Sequence, residues 1–177
     1  KQAAGHIILP EPRIISLKTL QLAVLDSANA CDAHAPDYTT SAYTKQFDTL
    51  WSSASGLGNA WLLTHRPVWG VEGSGSEAVT LEAALAAANP IPGSVKTIVS
   101  GHMHHFQALS FAGVRPPQVV VGNGGVSLDR PVPTGPIDQE VDQEPAKGLA
   151  FEHHGFLNIT QLDPSTGAWQ GEVIDKH

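Results

Sequence analysis

Apolar positions along the chain fall into short blocks separated by proline, glycine and polar runs. Leu20 to Leu25 is the clearest early block, a nearly continuous apolar run that stops at Asp26-Ser27 and predicts a buried strand. His6 to Leu9 and Arg13 to Leu17 are shorter extended candidates, parted by the turn-like Pro10-Glu11-Pro12. After a polar loop through Pro36 the period changes. Tyr43, Phe47, Leu50, Trp51 and Ala54 recur at helical spacing and define one face, an aromatic stripe that reads as core packing.

Gly56-Leu57-Gly58 ends that helix, and Ala60 to Thr64 predicts a buried strand running into His65-Arg66-Pro67, where the proline disfavours helix at Arg66. Gly70 to Gly75 reads as a flexible loop. Ser74-x-x-Glu77 then offers a capping box for an alanine-rich helix that should stop at Asn89-Pro90. Val95 to Val99 and Gln118 to Val121 are further strands, the second closed by Gly122-Asn123-Gly124-Gly125. Proline, glycine and acidic residues dominate from Leu128 to Gly148, so 128–148 reads as a long surface loop. Phe156 to Leu162 and Ala168 to Ile174 predict a β-hairpin around Asp163-Pro164-Ser165-Thr166-Gly167. Strands alternate with helices first and a hairpin follows. The expected class is therefore α/β, a mixed β-sheet with flanking helices, in a single domain over residues 1–177.

Composition narrows the functions open to such a domain. Apolar residues make up 41% and charged residues 15% of the chain, which excludes a mostly disordered polymer. A formal net charge of -7 leaves no basic surface for generic nucleic-acid binding. It does not exclude a phosphorylated substrate, because bound divalent cations can dominate a local field. No apolar stretch approaches the roughly 20 residues that a membrane-spanning helix requires. No signal-peptide pattern follows Lys1, so any targeting segment is expected outside these residues; the low lysine content and the missing start favour a periplasmic or secreted origin over a cytoplasmic one. Cys31 is the one cysteine, which excludes an internal disulfide and a multi-cysteine zinc site and reads as a half-buried thiol.

Candidate chemistry gathers where the strand from Val95 ends, in Ser100-Gly101-His102-Met103-His104-His105-Phe106. In an extended segment His102 and His104 would share a face with Cα atoms roughly 7 Å apart. Such a pair can bind one metal jointly or serve two ions about 3.5–4 Å apart. Ligands in open α/β sheets gather beyond the carboxyl ends of strands, and both His65 and this pair follow predicted buried strands. Imidazole suits zinc, iron, manganese or nickel, yet three histidines without a carboxylate leave a two-ion centre incomplete. A cupin would need a glutamate four or five residues after the second histidine, where Ala108 and Leu109 stand, and an amidohydrolase barrel needs about 250 residues.

Asn59-Ala60-Trp61-Leu62-Leu63-Thr64-His65-Arg66-Pro67-Val68-Trp69, Val99-Ser100-Gly101-His102-Met103-His104 and Val121-Gly122-Asn123-Gly124-Gly125, in that order, resemble the C-terminal half of a calcineurin-like metallophosphoesterase. Leu22 to Ser27 also resembles the strand that precedes these motifs in that family. The resemblance implies half of an αββα sandwich and two divalent metal ions, Mn, Fe or Zn, in the parent enzyme. It implies His65 and His102 as ligands of one ion, His104 as ligand of the other, and Gly101 as the residue that permits the tight turn. Arg66 and His105 flank the site as candidate substrate contacts.

The family pattern begins with an Asp-x-His, a Gly-Asp-x-x-Asp and a Gly-Asn-His-Asp/Glu that carries the catalytic histidine, and these are absent in the required order. The catalytic residue is therefore unassigned. Asp32-Ala33-His34 matches the first of them literally but lies in a loop after Asp26-Ser27, and reads as a chance match. His6, His153 and His154 read as solvated side chains and His177 as a single terminal residue, while Asn158-Ile159-Thr160 is a weak glycosylation sequon. The implied function is hydrolysis of phosphomonoesters or phosphodiesters by a longer protein, of which this chain alone is poorly active. A stand-alone, non-catalytic binding module is the alternative. A chain carrying half of a sandwich should expose an apolar sheet edge or face, covered by a second copy or by the missing N-terminal half.

Overall fold

The computed structural model describes residues 9–54, 58–72, 75–76, 79–125, 127–128, 134–163 and 165–175. The extended candidate at His6, the helix stop at Gly56 and Leu57, the capping residues Ser74 and Glu77, and His177 lie outside them.

The chain runs β1 (Arg13–Ser16), β2 (Gln21–Leu25), α1 (Asp37–Ala54), β3 (Ala60–Thr64), β4 (Val71–Glu72), β5 (Gly75–Ser76), α2 (Val79–Ala87) and β6 (Val95–Ser100). It continues through β7 (Phe106–Phe111), β8 (Gln118–Val121), β9 (Gly135–Val141), β10 (Glu144–Phe151), β11 (Gly155–Leu162) and β12 (Trp169–Asp175). Eight strands form one sheet in the order β1-β2-β3-β6-β8-β7-β10-β9. Strands β2, β3, β6 and β8 run parallel, so their carboxyl ends open on one edge, while β1 and β7 run against their neighbours. The mixed α/β sheet expected from the alternating pattern is the one observed.

Both helices cover the same face. The stripe read from the sequence packs there, with Tyr43, Phe47, Leu50 and Trp51 of α1 buried against Ala23, Leu25, Leu62 and Ile98 of the sheet and Leu81 and Ala84 of α2. Each large apolar side chain so buried contributes about 1.5–3 kcal/mol. The opposite face carries the intervening residues. Trp61 and Thr97 stand side by side on it, and the β11–β12 hairpin covers them. Trp169 packs edge-on against Trp61 with ring centres 6.0 Å apart and donates its indole N–H to Thr97 Oγ1 at 3.1 Å. Leu22, Val24, Leu63 and Val99 on this face stay half-buried, and Ile15, Leu149, Phe156 and Ile159 are exposed.

The long surface loop expected over 128–148 is corrected. Residues 135–141 and 144–151 form the antiparallel pair β9–β10, which extends the sheet beyond β7. Only Ile137, Val141, Ala146 and Ala150 of this pair are buried apolar positions, and most of the others are polar or exposed, so the segment reads as polar. Its turn also lacks an Asn-Gly signal, because Asp142 (φ 46°) and Gln143 (φ 64°) supply the two left-handed residues. Strand β7 was equally hidden, since its inward position 107 holds a buried glutamine instead of an apolar residue.

Candidate functional site

The edge onto which the parallel strands open is where the polar residues converge. The loop after β2 carries Ser27 and Asp32, the loop after β3 carries His65 and Arg66, and the turn after β6 carries His102 to His105. Buried glutamines on the neighbouring strands fix these loops. Gln118 of β8 accepts from the Val68 amide at 3.2 Å and donates to Ser100 Oγ at 2.6 Å. Gln107 of β7 closes a two-bond ring with the backbone of Val71, at 2.9 and 3.0 Å. Arg66 is held through its own backbone as well: its amide donates to Ser27 Oγ at 2.7 Å and its carbonyl accepts from Thr64 Oγ1 at 2.6 Å. On the facing loop, buried Thr80 of α2 accepts from the Cys31 amide at 3.0 Å and donates to the His34 carbonyl at 2.9 Å, bracketing Asp32.

The histidine turn is built differently from its sequence reading. Gly101 donates to the His65 carbonyl at 3.0 Å, but a Cβ there would meet only that oxygen, at 3.8 Å, so glycine is not sterically required. The left-handed residue is His102 itself, at φ 67°, a conformation costing a non-glycine residue about 1–2 kcal/mol. Close approach is demanded at Gly122 instead, whose added Cβ would fall 1.8 Å from the Met103 carbonyl oxygen. The segment is not an extended strand, yet Met103 and His105 point inward while His102 and His104 stay half-buried.

One polar cluster results. Arg66 Nη1 donates to Asp32 Oδ2 and lies 2.6 Å from His102 Nε2, which is itself 3.1 Å from the same carboxylate oxygen. Guanidinium has no acceptor, so His102 Nε2 accepts the hydrogen bond from Arg66. The His65 ring stands edge-on to His102, with centres 5.1 Å apart. Burial raises the Asp32 carboxyl, but the hydrogen bond and charge of Arg66 outweigh it and hold the group below its usual range. Partial burial, then the neighbouring His102 and Arg66, hold His65 below the usual imidazole value.

The sequence-predicted residues divide accordingly. His65, Arg66 and His102 come together, and His104 follows two residues on, past buried Met103. His105 is corrected: it is 0% exposed, with Nε2 3.4 Å from the Gln107 amide nitrogen, and a buried ring cannot meet a substrate arriving from solvent. Asp32 of the Asp32-Ala33-His34 match lies in the cluster, its carboxylate paired with Arg66. The available signal was its place, in the loop leaving the carboxyl end of a parallel strand. His34 turns instead to Cys31, with Nδ1 3.0 Å from Sγ.

As arranged, these groups do not fit the metal centre that the resemblance implies. Among the described residues no group of three or more His, Cys, Asp or Glu side chains is placed to hold a metal ion. The donor chemistry says why: the His102 lone pair and Asp32 Oδ2 both point at a guanidinium. Asp32 Oδ1 and Arg66 Nε are buried without hydrogen-bond partners, one orphan acceptor beside one orphan donor.

No family model and no curated protein sequence matches the chain. Among solved structures it is similar to the purple acid phosphatase PPD1 from yellow lupin (Lupinus luteus) seeds, with a TM-score of 0.55 and 13% sequence identity. The match covers 93% of this chain and 32% of that one. The likeness is one of fold: this chain shares its mixed sheet and flanking helices with about a third of a phosphatase.

Proposed function

We propose that this chain is the C-terminal portion of a phosphoester hydrolase of the metallophosphoesterase kind, and that alone it turns over little substrate. The observation that carries the reading is the convergence of His65, Arg66 and His102 on the carboxyl edge of the parallel strands, in a fold shared with a phosphatase. In the whole protein His65, His102 and His104 would contribute imidazoles to two divalent ions, Mn, Fe or Zn, with the remaining ligands supplied from outside this chain. This chain's own part in substrate binding falls to Arg66, since a guanidinium is matched to phosphoryl oxygens and its loop is fixed by Ser27 and Gln118. The substrate class is a phosphomonoester or phosphodiester.

The test is hydrolysis of p-nitrophenyl phosphate by this chain, and by the same chain preceded by the coding sequence upstream of Lys1. The longer protein should hydrolyse it, His102→Ala within it should lose about 100-fold or more, and the chain alone should stay near background. Full turnover by the chain alone, or an unaffected His102→Ala, would sink the reading. A second reading, a non-catalytic binding module, is favoured by one observation: Arg66 is already engaged by both Asp32 and His102. A start codon directly before Lys1 would decide for it.

A further inference from the structure

We propose that Arg66 is a built-in cation that latches this site, so that a divalent ion enters only by displacing its guanidinium from Asp32 and His102. The inference rests on reading His65 and His102 as metal ligands, and concerns what now occupies their place.

A first-row ion would need the His102 nitrogen at about 2.0–2.1 Å and a carboxylate oxygen at about 2.0–2.2 Å. Both electron pairs are committed. Arg66 Nη1 lies 2.6 Å from His102 Nε2 and donates to Asp32 Oδ2, and those two acceptors are only 3.1 Å apart. One nitrogen of one guanidinium therefore fills the gap that an ion bridging the pair would occupy. Two cations cannot share one imidazole lone pair, and the fixed charge of arginine cannot be removed by pH.

The latch is incomplete, which makes it displaceable. A well-seated arginine meets a carboxylate through two parallel bonds, whereas here one nitrogen makes both contacts and Asp32 Oδ1 and Arg66 Nε are left buried without partners. The surrounding backbone is fixed. The Arg66 amide is held by Ser27 Oγ at 2.7 Å and the Gly101 amide by the His65 carbonyl at 3.0 Å. Opening thus requires a side-chain rotation of Arg66, not a rearrangement of the loop, and it would free His102 beside His65 and release Asp32 to the incoming ion.

The experiment is Zn2+ binding to the purified chain by competition with a chromophoric chelator, comparing wild type, Arg66→Gln and Arg66→Gln with His102→Ala. Arg66→Gln should bind zinc at least ten-fold more tightly than wild type, and the added His102→Ala should remove the gain. Arg66→Met, checked like the first by circular dichroism and a thermal melt, repeats the measurement should the glutamine variant fail to fold. Folded Arg66 variants that bind no tighter than wild type overturn the latch. So does a gain that survives His102→Ala, because the ion would then sit elsewhere. Wild-type zinc binding that His102→Ala abolishes but Arg66→Gln leaves unchanged would end the latch alone and leave the ligand reading standing.

Discussion

Two arginines sit at opposite edges of the sheet, and they are held in different ways. Arg115, in the loop before β8, uses all three nitrogens: Nη1 donates to the Val141 carbonyl at 3.0 Å, Nη2 to the Asp142 backbone and carboxylate at 2.9 Å each, and Nε pairs with Glu144 at 2.8 Å. Its guanidinium also lies over the rings of Trp69 and Phe111, at 4.8 and 5.6 Å. That is a finished structure: a clamp on the β9–β10 turn. Arg66 makes both of its side-chain contacts through one nitrogen and buries another without a partner. A residue whose valences are all met is holding the fold, while one left half-met beside strained backbone at His102 marks the edge where chemistry is expected.

The largest effect is expected where the site edge depends on backbone contact. Gly122→Ala places a Cβ 1.8 Å from the Met103 carbonyl oxygen, an overlap that rotation of a side chain cannot relieve. Forced shifts of this kind cost about 1–3 kcal/mol, occasionally more, and an overlap with backbone belongs at the upper end. Urea denaturation should show that loss. A loss under about 1 kcal/mol would mean that the histidine turn moves freely and that this edge is not held by its backbone.

The next test sets the arginines against each other. Arg115→Ala deletes several charge-assisted bonds, a ring-stacked guanidinium and the partner of Glu144, a loss of about 2 kcal/mol. Arg66→Ala removes one shared, half-used contact to a carboxylate that is 36% exposed, and should cost about 1 kcal/mol or less. Equal losses in the two variants would break the distinction between a clamp and a latch.

Much of the frame was legible because burial on one face leaves a period in the sequence. The aromatic stripe of α1, the runs at β2, β3, β6 and β8 and the final hairpin all show it. What escaped was polar residues turned inward or apolar ones diluted at an edge. Gln107 hid β7 because a buried amide that finds its partners in the Val71 backbone looks, in sequence, like a solvent position. The β9–β10 pair presents mostly acids and prolines to water. At the site, His65, Arg66 and His102 were legible from their places after strands. Asp32 was not, because its approach depends on a loop bracketed by Thr80, 48 positions further along the chain. Likewise nothing in Gly-His-Met-His tells that the left-handed residue is the histidine rather than the glycine.

The smallest effect concerns how firmly that Asp32 loop is seated. Tyr43 is fully buried in α1, with its phenol beside the backbone of Asn29 and Ala30 just before Asp32, and burial pushes its pKa up to about 12. A raised folded-state value means that the unfolded chain gives up the phenolic proton from about pH 10, while the folded chain keeps it. The stability linked to this group is complete below that point and is lost as the pH rises toward 12. Tyr43→Phe should therefore match wild type to within about 1 kcal/mol at pH 8 and gain on it by about 1 kcal/mol by pH 11. Denaturation curves at the two pH values measure the difference directly. A difference that stays constant would mean that the phenol ionises as it does in water, so that the loop over it opens and Asp32 is not held in place to receive Arg66.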